Sequence, residues 1–322
     1  MANPTTKQAQ SLQAISADEL LRLTFPDLVY RVAGLIPNGL TILAGAPKIG
    51  KSWMALGIAI AVSLGLPAFG CLPTQRSGVL YAALEDNHRR LQARLRQLLP
   101  TGRPDQLHFM TQLPRLDEGF IGKLRAWLTD HPDVKVVIID TFARIRSSDT
   151  KSNDYQEDTK ALQGLQELAN EMDLAIVVVT HTRKLPAEDA FDEVLGSRGL
   201  TGVADTILVM QRGRNQSDAN LAVTGRDVDE RVDAFMFDRK TGAWAYLGDA
   251  SRFDVTPERE DFLQALGRVG PVGIGPTALA EVLDDNVNNV KQMLRRAHKA
   301  GQVTKVAPGK YTLASPDLNT QH

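Results

Sequence analysis

The sequence predicts an α/β fold in which a mostly parallel sheet carries a phosphate-binding loop and a small helical domain follows. Three observations point there. Gly45-Ala46-Pro47-Lys48-Ile49-Gly50-Lys51-Ser52 is a complete G-x4-G-K-S loop between the apolar run Leu40–Ala44 and the helix-like stretch Trp53–Leu64. From Leu40 to Leu247, short runs that are apolar throughout alternate with helical patterns, as expected of a parallel sheet covered on both faces. The apolar run Val136–Ile139 closes on a carboxylate, Asp140, the arrangement of an acid at the carboxyl edge of such a sheet.

In chain order, residues 1–30 are polar and then weakly amphipathic. Ser16-Ala17-Asp18-Glu19 has the spacing of a capping box, and the segment could serve as a packing arm between subunits. It lacks the apolar core of a signal peptide. The strand Leu40–Ala44, the loop and the helix Trp53–Leu64 come next. Trp53 to Gln75 is uncharged, but Gly57, Gly65 and Pro67 interrupt it, so it reads as a buried helix rather than a membrane span. Strands are expected at Gly78–Ala82, Val134–Ile139, Leu174–Thr180 and Thr206–Met210, with helices at Asn87–Leu99 and Thr159–Met172. Asn220–Thr224 and Ala234–Phe237 read as further strands, and Thr241-Gly242 as the turn before Trp244. A core of residues 31–250 results.

Residues 251–322 form a separate region. Asp261–Leu266 is a helical run, Pro276-Thr277 starts a second that reaches Leu283, and Asn286 caps a third, Val287–Ala300, which Gly301 ends. Val303–Val306 and Lys310–Leu313 flank the turn Ala307-Pro308-Gly309. Three helices and a two-stranded wing make a winged helix-turn-helix.

Composition sets outer limits. With 43% hydrophobic and 23% charged residues, 322 residues suffice for a sizeable core and two domains, as in a soluble cytoplasmic protein. The single cysteine, Cys71, excludes an intramolecular disulfide and has no Cys or His at metal-ligand spacing, so it reads as a buried small hydrophobe. A net charge of −1 excludes coating nucleic acid with the whole surface, so any such contact must be local.

The loop's chemistry follows from its residue types. Backbone N–H groups of Gly45 to Ser52 and the positive helix end converge on an anion, and Trp53 follows directly at the helix start. Lys51 supplies a point charge for the β/γ-phosphates of a nucleoside triphosphate, and the Ser52 hydroxyl a ligand for Mg²⁺. Asp140 is placed to hold the same Mg²⁺ with its water shell. Glu85 ends the run Leu80–Leu84, where a carboxylate could orient the attacking water; Asp86 competes for that role, and a cap at the start of the next helix is the other reading of Glu85. His181 follows a third strand, where a polar side chain could sense the γ-phosphate; it can equally be structural.

Taken together, Ile36-Pro37-Asn38-Gly39, the phosphate loop, Tyr81-Ala82-Ala83-Leu84-Glu85-Asp86, Ile138-Ile139-Asp140, Thr180-His181-Thr182-Arg183-Lys184 and residues 196–205 resemble the RecA-like ATPases of the plasmid and phage RepA helicase type, more distantly the DnaB type. The resemblance spans about residues 30 to 247. It implies ATP with Mg²⁺, a catalytic glutamate at Glu85, adenine stacking on Arg94, and a hexameric ring or helical filament in which a neighbour completes each site. Related helicases carry a Lys-x-Arg pair there. Here Arg226 fills the arginine position and Thr224 stands where the lysine would be, so one cation would meet the transition-state charge. Most RepA-like sequences also carry a histidine before His181, where this chain has Thr180.

DNA contacts are expected in two places. In RecA-like rings the single-strand loops follow the second and third strand ends, here 144–158 and 185–194. The first holds Arg144, Arg146 and Lys151, the second Glu188, Asp189, Asp192 and Glu193, whose carboxylates repel phosphates. In the winged helix, Lys291, Arg295, Arg296, Lys299, Lys305 and Lys310 are unopposed by any acid between Val287 and Leu313, which suits duplex phosphates, with Asn288, Asn289 and Gln292 able to reach base edges. A protein-docking module or a solvated basic face would read the same way. The expected function is an oligomeric, DNA-dependent ATPase, with helicase leading. A filament-forming recombination or annealing ATPase and a nucleotide-switched DNA-binding regulator or helicase loader are the alternatives.

Overall fold

The computed structural model describes residues 14–25, 27–146, 154–182, 202–212, 218–252, 257–269, 272–299 and 303–313. A short helix α1 (Ala17–Arg22) opens the chain with the expected capping box: Ser16 Oγ accepts from the Glu19 amide and Glu19 reaches back to the Ser16 amide. A small hairpin of β1 (Tyr30–Val32) and β2 (Ile36–Pro37) leads into β3 (Gly39–Gly45). Then follow α2 (Lys51–Leu64), β4 (Gly78–Ala83), α3 (His88–Leu98), β5 (Leu107–Met110), α4 (Phe120–Asp130), β6 (Val134–Asp140), α5 (Asp154–Met172), β7 (Ala175–His181) and β8 (Thr206–Arg212). Three more strands, β9 (Ala219–Gly225), β10 (Arg231–Asp238) and β11 (Ala243–Asp249), complete the core.

These strands form one nine-stranded sheet in the order β11-β10-β9-β8-β3-β7-β6-β4-β5. The six from β8 to β5 run parallel, and the helices α2, α3, α4 and α5 supply the crossovers from β3 through β7. The last three are joined by short turns and run antiparallel, which the uniform apolar pattern of the sequence did not reveal. Every residue of β3 is buried, so the central strand is apolar without alternation. One face packs α2 and α3, through Met54, Leu56, Ile58 and Leu91, against Tyr81, Val136, Ile138 and Val177. The other packs α4 and α5, through Phe120, Leu124, Leu128, Leu162 and Leu165, against Leu80, Val137, Ile139 and Ile176. Each such side chain contributes about 1.5–3 kcal/mol relative to exposure.

Burial also explains the uncharged stretch after the loop. Most of α2 is enclosed, and Gly65 in the left-handed region (φ 69°) ends it. Among the described residues no helix is long and apolar enough to cross a membrane. The sequence gives no sign of β5 or α4: β5 has four residues and lies half-buried at the sheet edge, so its hydrophobic pattern is weak. Cys71 corrects another expectation, for it is exposed. It sits in a tight turn closed by Ala68 N donating to Leu72 O (2.8 Å), and turn geometry directs its side chain outward.

The C-terminal elements form where expected: α6 (Pro257–Val269), α7 (Pro276–Leu283), α8 (Val287–Lys299), then the hairpin of β12 (Val303–Ala307) and β13 (Lys310–Leu313). Asn286 accepts from the Asn288 amide (2.8 Å) at the start of α8. Phe262, Leu266, Leu279, Val290 and Leu294 make a core of their own, and Ile274 bridges to Tyr311 as a third strand position.

Candidate nucleotide site

Four neighbouring strands, β3, β7, β6 and β4, end side by side and carry polar groups there: the phosphate loop after β3, His181 at the end of β7, the buried Asp140 at the end of β6 and Glu85 just beyond β4. The period of two decides which face receives them. Asp140 follows Ile138 by two and His181 follows Val179 by two, so both share the α2 face with Tyr81. Lys51, Ser52, Glu85, Arg94, Asp140 and His181 all line one cavity of about 310 Å³.

No side chain caps α2, whose N-cap Gly50 has φ 111°, so the first-turn amides remain available to an anion. Lys51 is 4% exposed, and its Nζ donates to Gly45 O (2.7 Å) and Ala46 O (2.9 Å). Its third neighbour is His181 Nδ1 at 3.2 Å. With the ammonium donating, Nδ1 is the acceptor and the imidazole proton lies on Nε2. Burial pulls the Lys51 amine down to about 8, against the opposing pull of the Asp140 and Glu85 carboxylates.

That value has a consequence for binding. Phosphates favour the protonated amine and raise its pKa in the complex, so affinity is full below about 8 and falls above it. Between pH 7 and pH 9 the dissociation constant of a non-hydrolysable ATP analogue should rise about tenfold, measured by titration calorimetry. Unchanged affinity over that range would place the lysine's titration elsewhere.

Asp140 is 7% exposed. Burial pushes its carboxyl above the usual range, while hydrogen bonds from Ser52 and from Tyr81 (2.8 Å to Oδ2) hold it back. The Ser52–Asp140 contact sets two hard oxygen donors together, a fit for Mg²⁺. Among the described residues no cluster of three or more His, Cys, Asp or Glu could cage a metal alone, so the ion's remaining ligands would be phosphate oxygens and water.

The alternatives open at Glu85 separate in three dimensions. Asn87 takes the cap of α3, accepting from the Arg90 amide (2.9 Å). Asp86 is held by Arg90 (2.9 Å) and by Arg94. Glu85 alone of the two acids lines the cavity, half-exposed, with Arg144 Nε 3.9 Å away. Arg94 in turn lies over the Trp53 ring, 5.2 Å from its centroid, so both reach the cavity as one stacked pair.

Two supports were not legible as site residues. Tyr81 lies in an apolar strand and fixes Asp140; a lone tyrosine there was the available signal. Trp244, from the far edge of the sheet, donates Nε1 to Gly50 O (3.2 Å), and its ring leaves no room for a Cβ at Gly50, which would stand 2.6 Å from it.

Other expected residues lie elsewhere. Because β9 runs against β8, its end pairs Gly225 with Thr206, which faces Thr41 rather than Gly45. Arg226 is thus about 13 Å or more along the strand direction from its own phosphate loop, at the opposite sheet edge. There it pairs with Asp205 (3.2 Å), not with Asp227 or Asp229. Arg146 is engaged by Asp158 through two bonds of 2.6 and 2.5 Å, so a DNA contact by it requires breaking that pair. Asn288, Lys291, Gln292, Arg295 and Arg296 are exposed on α8, as are Lys305 and Lys310 on the hairpin; Asn289 is exposed and donates to Asp285 (2.8 Å). Lys151, residues 183–194 and residues 196–201 lie outside the described residues, as does the side chain of Lys299.

A family model described as an AAA domain matches residues 6–187. Among solved structures, an ATPase domain is similar at a TM-score of 0.52 and 15% identity, covering 65% of this chain and 85% of that one. A DnaB-like replicative helicase, solved with attention to its interactions with primase, is similar at a TM-score of 0.55 and 13% identity. That match covers 68% of this chain and 62% of the helicase chain. No curated protein matches the sequence. At these identities the likeness establishes the fold alone, an α/β core around a mostly parallel sheet.

Proposed function

The chain belongs to the AAA domain family, and from that premise we propose that it is an ATP-hydrolysing, DNA-dependent motor, a RepA-like ring helicase that unwinds duplex DNA. The observation that carries this reading is the convergence of Lys51, Ser52, Glu85, Asp140 and His181 on one cavity at four neighbouring strand ends. Glu85 takes a proton from a water whose oxygen bonds to the γ-phosphorus, while the bond from that phosphorus to the β–γ bridging oxygen breaks. ADP leaves with that electron pair, and the γ-phosphoryl group becomes inorganic phosphate. Lys51 exchanges its loop carbonyls for phosphate oxygens. Mg²⁺ held with the nucleotide by Ser52 and Asp140 would offset the charge on the phosphates.

Two features support assembly from copies of the chain. Arg226 is too far from its own loop to act there, so it reads as a finger for a neighbour's γ-phosphate. Around α1, Ile15, Leu20, Leu21, Leu23, Phe25 and Leu28 are exposed, an apolar arm suited to a neighbouring copy. Single-stranded DNA is taken to pass the core near Arg144, and α8 with its hairpin to dock duplex DNA as a winged helix.

The test is ATP turnover with and without single-stranded DNA, alongside unwinding of a forked duplex. Stimulation with unwinding is expected. Stimulation without unwinding would leave a recombination or annealing ATPase, and turnover indifferent to DNA would leave a nucleotide-switched regulator. In the same assays, reversing Lys291, Arg295 and Arg296 to Glu should spare single-strand stimulation and flatten the salt dependence of duplex binding, by about 0.9 in log–log slope per lost phosphate contact. An unchanged slope would assign the winged helix to a protein partner.

A further inference from the structure

Asp205 stands at the sheet edge opposite the phosphate loop and is fixed from several sides. Its amide donates to Leu40 O (2.9 Å), its Oδ2 accepts from the Leu40 amide (2.9 Å), and its Oδ1 accepts from Gln166 Nε2 on α5 (2.7 Å). A Cβ at Gly39 would stand 2.7 Å from Oδ2, and one at Gly225 2.5 Å from the Asp205 carbonyl. Only glycine at those two positions lets the strands close around this residue. Among the described residues the carboxylate, its side chain 13% exposed, has one further partner, Arg226 Nη1 at 3.2 Å from Oδ1. The Arg226 amide donates to the Asp205 carbonyl as well (2.9 Å), so the arginine is gripped at its root and at one guanidinium nitrogen.

Stability is a weak reason for this arrangement. An ion pair whose arginine is 62% exposed is worth at most about 1 kcal/mol. Orientation is a better one, because an arginine side chain has many rotamers and a pre-set guanidinium meets developing charge without first losing that freedom.

We infer that Asp205 is the positioning residue for Arg226, holding its guanidinium ready for the γ-phosphate of a neighbouring copy. Leu40, which binds Asp205 through both backbone groups, lies on the strand that ends in the phosphate loop. Asp205 therefore ties the finger a subunit offers to the strand that carries its own nucleotide loop. This rests on the reading of Arg226 as a finger acting in trans.

Asp205→Asn keeps the shape and removes the charge. Its NH2 must face a donor, either the Leu40 amide or Gln166 and Arg226, so the melting temperature should fall, while the nucleotide dissociation constant should stay near wild type and kcat should fall roughly 10- to 100-fold, the scale of a misplaced reacting group. Mixing separates positioning from a general structural role. Asp205→Asn subunits, which keep an intact phosphate loop, should regain turnover when mixed with Lys51→Ala subunits, which keep an intact finger, and should not regain it with Arg226→Ala subunits. Gln166→Ala, which loosens Asp205 without touching Arg226, should fall in the same group with a smaller loss, and it carries the test if Asp205→Asn misfolds. Wild-type or raised turnover in both variants, or no recovery with Lys51→Ala subunits while Arg226→Ala subunits do recover, overturns the inference alone. Wild-type turnover by Arg226→Ala instead removes the finger reading on which it stands.

Discussion

Glu85→Gln should bind ATP as tightly as wild type and lose about 10²- to 10⁴-fold in kcat, the range of a general base. The amide keeps the size of the carboxylate and its place on the cavity wall, while the group that accepts the proton of water is gone. Lys51→Ala should fail earlier, at binding. Its ammonium is the cation that the loop carbonyls of Gly45 and Ala46 hold, and the substitution takes that charge out of the cradle. Equilibrium binding of an ATP analogue and single-turnover hydrolysis, run on both variants, separate the two effects. Wild-type turnover by Glu85→Gln would move the base to another group. Asp86 would be the next to test, although two arginines already hold it.

Arg226→Ala should keep its fold and nucleotide affinity and lose turnover on the order of 10³-fold, the contribution of an arginine finger in phosphoryl transfer. The affinity is spared because the residue lies at the sheet edge away from its own phosphate loop. Co-assembly gives the decisive measurement. Arg226→Ala and Lys51→Ala subunits, each inactive alone, should together recover part of the activity, since one offers an intact loop and the other an intact finger. Demonstrably mixed oligomers without recovery would end the trans assignment.

Much of this site could be read from short stretches of chain. The loop Gly45–Ser52, the strand ending in Asp140 and the acid at Glu85 are local patterns: a turn chemistry, an apolar run, a terminal carboxylate. That Asp140 and His181 share a face came only from the structure, because the runs before them are apolar on both faces and only Ile138 and Val179, two residues back, pack on the α2 side. The choice among Glu85, Asp86 and a helix cap was open in sequence. In the structure Asn87 takes the cap and Arg90 and Arg94 hold Asp86, which supports the proposal that Glu85 is the base.

What the sequence by itself determined is the set of chemical groups and the order of the elements, since both depend on residues within a few positions of one another. Only the tertiary structure decided which distant groups meet. Tyr81 on Asp140 joins residues 59 apart in sequence, and Trp244 on Gly50 joins residues 194 apart. The reversal of β9 against β8 carried Arg226 to the far sheet edge and into the hold of Asp205. A strand's apolar pattern records that it is buried, and is the same whichever way the strand runs. Direction is decided by the length of the connection and the edge left open to pair, and those are properties of the packed sheet.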